Sequence, residues 1–320
     1  MAPGDVTTVT DCTNVSYVDT GMYEAAGYGA VYVIDAERPA VIDTGIGTHH
    51  ERVLDALDEV GVEPELILPT HVHLDHAGGA GFLAEAFPDA VVQVHEIGVP
   101  HLVDPTRLVE GTKAAVGDQW EFYVEPEPVP EERVTGLSGG EEIDLGDRTL
   151  SVHHAPGHAP HQVIFHDELD DAVYTADAAG IYVPDLDIVR QTTPPPQFDL
   201  DQAIADVETI GELDPETLCY PHFGPVAASD QLLSSYKRTL VEWVEAVRQR
   251  RVELEDDDAV IDAAADAVDA DLVDVWGERK AREEERLNTR GVLRYLDTVA
   301  SDVDDEDDAE NASGNTTTTQ

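Results

Sequence analysis

The six residues His71-Val72-His73-Leu74-Asp75-His76 hold three imidazoles and one carboxylate. Imidazole nitrogen and carboxylate oxygen are the usual ligands of zinc and related divalent ions. In extended backbone, residues i and i+2 project to the same side, so His71 and His73 can aim at one centre. Asp75 and His76 then turn toward a second. With 13 histidines in 320 residues, this density is not what a polar loop collects by chance. Divalent-metal chemistry is therefore the first expectation.

Four such residues do not close a hydrolytic site, and three further candidates lie downstream. His158 sits in Pro156-Gly157-His158, where Pro-Gly forces a turn and leaves the imidazole at its tip. Asp177 follows Tyr174-Thr175-Ala176, and His222 follows Tyr220-Pro221. His161 competes with His158 for its role. His153 and His154 read as ordinary strand residues, His95 and His101 lie near an irregular segment, and His101 has the option of facing substrate. No Gly-Xaa-Ser-Xaa-Gly elbow, P-loop or dinucleotide fingerprint is present to suggest another chemistry.

The elements that must position these residues are short. Residues 65–70 read as a buried strand, and 80–87 as a helix after paired glycines. Residues 31–34 and 40–42 form a hairpin ending in Asp43-Thr44-Gly45, and 51–60 a helix stopped by Gly61. A strand follows at 90–94. Hairpins are expected at 142–145 with 149–153 and at 162–165 with 172–175, then a helix at 201–210 and a strand at 217–220. Strand pairs followed by helices, twice over, predict two sheet-plus-helix halves stacked sheet on sheet. Each candidate ligand then lies just past a strand, where loops converge over one edge.

Three regions fall outside that pattern. Residues 100–135 lack a clean period and read as an insertion over the site. Residues 192–199, Thr-Thr-Pro-Pro-Pro-Gln-Phe-Asp, are either a rigid loop at the site mouth or a plain connector. After a domain of residues 1–228 comes a helical region, 229–300, with segments at 232–250, 258–269 and 278–299. Tyr236, Leu240, Trp243, Val244 and Val247 form a core stripe there. Residues 301–320 are acidic and then Asn, Ser and Thr-rich, and are expected to be disordered.

Composition narrows the function classes. Against 68 Asp and Glu stand 18 Lys and Arg, a net charge of -50, which excludes phosphate-backbone binding and anionic membrane as partners. Acid spread along the whole chain suits a solvated surface at high salt, where self-repulsion is screened; a halophile's cytoplasmic protein is implied. Cys12 and Cys219 alone make no disulfide framework and read as buried small residues. The first residues lack a basic and apolar leader, and no apolar run approaches the ~20 residues of a membrane span.

Taken together, His71-Xaa-His73-Xaa-Asp75-His76, the Pro-Gly-His turn, the single Asp after a strand, the late His and the Ile42-Asp43-Thr44-Gly45 turn resemble the metallo-β-lactamase superfamily over about residues 15–227. The resemblance implies an α/β (α+β) fold, a four-layer αββα sandwich, here with a C-terminal helical extension. It implies that His71, His73 and His158 hold one ion and that Asp75, His76 and His222 hold a second. Asp177 bridges the two, and Asp43 supports them. Many relatives carry Gly before the bridging Asp; here the residue is Ala176.

The cofactor so implied is two divalent ions, zinc first, with iron or manganese as alternatives. The chemistry implied is hydrolysis by a metal-bound hydroxide, with Asp75 and Asp177 as catalytic residues. RNA-processing branches would show basic surface, and flavin-partnered branches replace His73 by Glu. Few basic residues stand near the C-terminal part of the core, which weakens a glutathione thioester. An ester, lactone or thioester of a small molecule remains, in a chain that can form a homodimer. A mononuclear iron persulfide dioxygenase-like oxidoreductase and a non-catalytic metal-binding protein are the alternatives.

Overall fold

The computed structural model describes the backbone of residues 2–314 and side chains to residue 301. The first sheet has seven strands in chain order: β1 (Val6–Thr8), β2 (Val15–Asp19), β3 (Ala30–Ile34), β4 (Ala40–Ile42), β5 (Leu66–Leu68), β6 (Val91–His95) and β7 (Val134–Leu137). Pairing is antiparallel from β1 to β4 and parallel from β4 to β7. The parallel steps need crossovers. Helices α1 (His50–Val60) and α2 (Ala80–Ala86) supply two, and α3 (Val99–Val103) with α4 (Thr106–Val116) the third.

The second sheet is built from β8 (Glu142–Asp144), β9 (Thr149–His154), β10 (Val163–Asp167) and β11 (Ala172–Tyr174). After a separate ribbon of β12 (Ile181–Val183) and β13 (Ile188–Arg190), helix α5 (Leu200–Glu212) leads to β14 (Thr217–Cys219) and β15 (Pro225–Ala227). The sheet order is β15-β14-β11-β10-β9-β8, with only β11 and β14 parallel. Helices α6 (Asp230–Leu254), α7 (Asp257–Asp266), α8 (Ala270–Trp276) and α9 (Glu278–Gly314) complete the described chain.

Side-chain alternation makes the layers. Along β3, Tyr32 and Ile34 point into a core shared with Leu150, Val163 and Phe165 of the second sheet. Val31 and Val33 point the other way, against Val53, Leu57 and Leu83 of α1 and α2. On the second sheet, Phe165 faces inward while Ile164, Val173 and Leu218 meet Val207 and Ile210 of α5 and Tyr236 and Leu240 of α6. Strands covered on both faces read as continuous apolar runs, as 30–34 does. This is the expected αββα sandwich. Cys12 and Cys219 are buried free thiols.

Several elements escape the sequence pattern. Strands β1 and β2, the ribbon β12–β13, and helices α3, α4 and α8 were not expected. Three-residue strands such as β1 carry almost no periodicity; pairing with a neighbouring strand, here β2, creates them. Helix α4 buries only Val109 and Val116, because it borders a cavity instead of a packed core. Helix α6 joins the core of the second sheet through Leu233, Tyr236, Leu240, Val244 and Val247. The backbone of α9 continues as helix to Gly314, into the segment expected to lack structure. Once nucleated on a packed segment, a helix gains one hydrogen bond per added residue. Residues 315–320 lie outside the described residues.

Candidate metal centre

Every candidate ligand leaves the C-terminal end of a strand at one edge of the sandwich. Strand β5 runs into Pro69-Thr70 and then the His71–His76 turn, and β4 ends at Asp43 beside it. The glycines after that turn allow close approach: a Cβ on Gly79 would lie 2.5 Å from the carbonyl oxygen of Thr44. Strand β9 precedes the Pro-Gly-His turn, β11 precedes Asp177, and β14 precedes His222. The Pro-Gly turn is clamped to α5 from both sides. Asp206 accepts the Gly157 N–H at 2.7 Å, and the Asp199 N–H donates to the Gly157 carbonyl at 2.9 Å. A Cβ on Gly157 would lie 2.1 Å from the Ala203 nitrogen, so only glycine permits this contact.

The seven residues His71, His73, Asp75, His76, His158, Asp177 and His222 converge. Three groups of ligand atoms each lie within 4.8 Å of one another: His71–His73–His158, His71–His76–Asp177, and Asp75–His76–His222. His73 Nδ1 is 3.0 Å from His71 Nε2 and 3.0 Å from His158 Nε2. Asp177 lies between the outer groups, with Oδ2 3.2 Å from His158 Nε2 and 3.6 Å from His76 Nε2, and Oδ1 3.5 Å from His222 Nε2. Asp75 Oδ2 is 3.8 Å from His76 Nε2.

Outer contacts decide which nitrogen each imidazole presents. His158 Nδ1 donates to the Thr192 carbonyl at 3.2 Å, and His222 Nδ1 to the Tyr28 carbonyl at 2.7 Å. His76 Nδ1 donates to Asp43 Oδ2 at 2.9 Å. Asp43 Oδ1 accepts the Thr70 hydroxyl at 2.9 Å, and that hydroxyl meets His71 Nδ1 at 3.1 Å. One buried carboxylate thus orients two imidazoles, leaving their Nε2 lone pairs for the centre, as metal-ligating histidines require. Asp43 and Ala176 both take left-handed backbone, at φ 60° and 47°. At Ala176 this is a conformation that glycine adopts without strain, which fits the glycine that the resemblance implies before the bridging Asp.

The electrostatics fit cation binding. Burial depresses the basicity of His71, His73 and His158, with His73 lowered to about 3. Neutral imidazoles are the form that ligates. Burial alone would raise Asp177, but the neighbouring His158 and His76 hold its carboxyl well below the usual range. Burial is likewise outweighed at Asp75, lowered by His76, His222 and His73. His76 Nε2 and Asp177 Oδ1 are buried without hydrogen-bond partners. Buried polar atoms are rarely orphaned. Here each faces the other groups of the cluster, and a divalent ion is the partner that suits both. The donor set is of divalent-metal-binding type.

His161 does not join the ligand groups. It is buried, its ring centroid 6.0 Å from that of His71, and its Nδ1 accepts the Val72 N–H at 3.4 Å. Burial and neighbouring imidazoles lower it to about 2. His153 and His154 lie on β9.

A cavity of about 280 Å³ opens beside the cluster. Its wall includes His73, Asp75, His158, Asp177 and His222, then Leu74, Leu108, Val116, Ile181 and Leu287. His101 and His161, the proline loop at Pro194, Pro195 and Pro196, helix α4 from the 100–135 segment, and α9 also border it. Sequence reading missed Tyr23, Tyr28, Tyr123, Lys280 and Glu284, which line the same space. No local pattern marks them, since three stretches of chain far apart in sequence bring them there. It also missed Asp206. The only signal was an acid on the apolar face of a helix, among Ala203, Val207 and Ile210.

A family model described as Metallo-beta-lactamase superfamily matches residues 25–222. The chain is 28% identical over 223 residues to the metallo-beta-lactamase fold-containing protein ST1585 of Sulfurisphaera tokodaii, covering 68% of this chain and 80% of that protein. The crystal structure of ST1585 has a TM-score of 0.68 at 23% identity, over 88% of this chain and 99% of that one. Acyl-coenzyme A thioesterase MBLAC2 of Gallus gallus is 28% identical over 182 residues. That match covers 52% of this chain and 62% of the thioesterase, less than two thirds of its length. BJP-1, a subclass B3 metallo-beta-lactamase of Bradyrhizobium japonicum, has a TM-score of 0.57 at 20% identity, covering 80% of this chain and 97% of that one, a likeness of fold.

Proposed function

This chain belongs to the metallo-beta-lactamase superfamily, and from that premise we propose a hydrolase that uses two divalent ions, zinc first among them, on a small ester, lactone or thioester. One observation carries the reading: three groups of ligand atoms are linked through the shared residues His71 and His76, with His76 Nε2 and Asp177 Oδ1 buried without hydrogen-bond partners, beside a mainly apolar cavity. In this reading His71, His73 and His158 hold one ion, Asp75, His76 and His222 the other, and Asp177 both. The acyl-coenzyme A thioesterase among the relatives supports acyl hydrolysis. Asp75, His76 and His222 standing together favours two ions over the single iron of a dioxygenase.

Divalent ions held there supply Lewis-acid polarisation of a carbonyl and water activated near neutral pH. The residues of the chain do the rest. Asp43 and Thr70 hold His76 and His71 in the ligating tautomer. Asp75 borders the cavity with its carboxyl held ionised by His76, His222 and His73, and is placed to take a proton from attacking water. Leu74, Ile181 and Leu287 exclude bulk water and bind the apolar part of the substrate.

Metal analysis of protein purified at high salt, together with a screen against lactones, thioesters and phosphodiesters, tests this. Two zinc-type ions per chain with ester, lactone or thioester turnover is the expected result. One iron per chain with sulfur oxidation would replace the reading by the dioxygenase, and metal without turnover of any class would favour a binding protein.

A further inference from the structure

Besides Arg107 of α4, the cavity wall contains a charged pair that the chemistry above does not use. Lys280, Glu284 and Asn288 stand four residues apart on α9, so they share a helix face. All three border the cavity. Lys280 and Glu284 are each 7% exposed and Asn288 1%. Lys280 Nζ lies 2.6 Å from Glu284 Oε2, and 4.0 Å and 4.6 Å from the ring centroids of Tyr23 and Tyr28. Glu284 Oε1 accepts from Asn288 Nδ2 at 3.2 Å. Asn288 in turn holds the backbone N–H and the hydroxyl of Thr193, which fastens α9 to the proline loop.

The fastening therefore does not need the ion pair. A buried pair in an apolar wall gains little over apolar residues of the same volume. Its hydrogen-bonding capacity is also only part used. An ammonium has three donors, of which Glu284 takes one in a hydrogen bond while the Tyr23 and Tyr28 rings only lie against it, and the carboxylate keeps lone pairs beyond those facing Lys280 and Asn288. The pair carries no net charge, so it does not select an anion. It offers a donor and an acceptor 2.6 Å apart on one side of the cavity. A hydroxyl oxygen complements it, as a single atom that both accepts and donates. A trans amide points its C=O and N–H in opposite directions and does not meet both.

We propose that the Lys280–Glu284 pair reads a hydroxyl on the substrate, so that the preferred substrates are hydroxylated esters, lactones or thioesters. This rests on the hydrolase reading above for the reaction, and on the cavity wall alone for the recognition. A site built to hydrogen-bond a hydroxyl rejects the analogue lacking it, because its polar groups are then left unpaired.

The test uses hexanoyl thioesters of N-acetylcysteamine, unsubstituted or hydroxylated at successive carbons, with the non-hydrolysable thioether of each. Calorimetric binding of the thioethers to the full chain at high salt reads recognition, and thioester turnover reads reaction. One hydroxylated member should bind about tenfold or more tighter than the unsubstituted one, the worth of a hydrogen bond to a charged group. In the double variant Lys280→Met with Glu284→Leu, which leaves no lone buried charge, that preference should fall to near unity, with circular dichroism checking the fold. Equal binding of all members by the wild type would overturn the inference even if the double variant failed to fold. So would a preference that survives in a folded double variant. Selective thioether binding without turnover of the thioesters or of the matching oxygen esters and lactones would instead remove the hydrolase reading and leave the recognition standing.

Discussion

Replacing Asp206 by Asn should make stability less dependent on pH, by an amount that can be worked from its surroundings. Asp206 lies on the buried face of α5, 4% exposed, and accepts the Gly157 N–H at 2.7 Å. Burial raises its pKa from 3.8 to about 7, against the pull of that N–H and with help from the charge of Asp199. The folded state thus holds the proton more tightly than the unfolded chain. Its contribution is intact below about pH 4, falls as pH rises toward 7, and then stays at a constant deficit. Roughly three pKa units at about 1.4 kcal/mol each place that deficit near 4 kcal/mol. Asparagine keeps an oxygen for Gly157 and never ionises, so it removes the deficit. Its buried amide N–H groups cost about 1–3 kcal/mol at every pH. The variant's stability relative to wild type should therefore improve by about 3 kcal/mol between pH 5 and pH 9. Urea unfolding at both pH values, in the same high salt, measures it. A difference between the two proteins that does not change with pH would refute the reasoning, and would mean that the Gly157 N–H keeps Asp206 ionised.

Other expectations concern the centre and the surface. Asp177→Ala should lose bound metal and lower turnover by two orders of magnitude or more, because its two oxygens reach all three of His76, His158 and His222; elemental analysis with kinetics checks this, and full metal content would count against the bridging role. Asp43→Asn should weaken metal affinity about 10- to 100-fold while leaving the seven residues near the centre in place, since it upsets the tautomers of His76 and His71; competition with a chelator reads the change. A net charge of -50 should make folding and metal retention improve as the Debye length shrinks from about 10 Å at 0.1 M salt to about 3 Å at 1 M. Circular dichroism and metal content followed together across that range test this, and complete folding with full metal at 0.1 M would remove the high-salt reading.

The metal-type cluster was legible before any coordinates because ligand chemistry is local: His71, His73, Asp75 and His76 lie within one turn, and His158, Asp177 and His222 each follow a short apolar strand. The layer architecture was legible for a similar reason, since the short apolar runs at 31–34 and 162–165 and the helical period of 51–60 are properties of neighbouring residues. What lay beyond the sequence depends on residues that meet only after folding. The resemblance already implied that Asp43 supports the ligands, but its bond to His76 across 33 positions, like the clamp of Asp206 on Gly157 across 49, exists only in the fold. Strands β1 and β2 exist because partners complete their hydrogen bonds, and helix α4 because a cavity needs a wall. In sequence, Lys280 and Glu284 are two charged residues of the helical segment 278–299 with nothing to set them apart from their neighbours. Folding brings α9 against Tyr23 and Tyr28 and turns the pair inward. Periodicity records which residues avoid water; it does not record which buried charges share a cavity, because that is set by the closing of distant segments on one another.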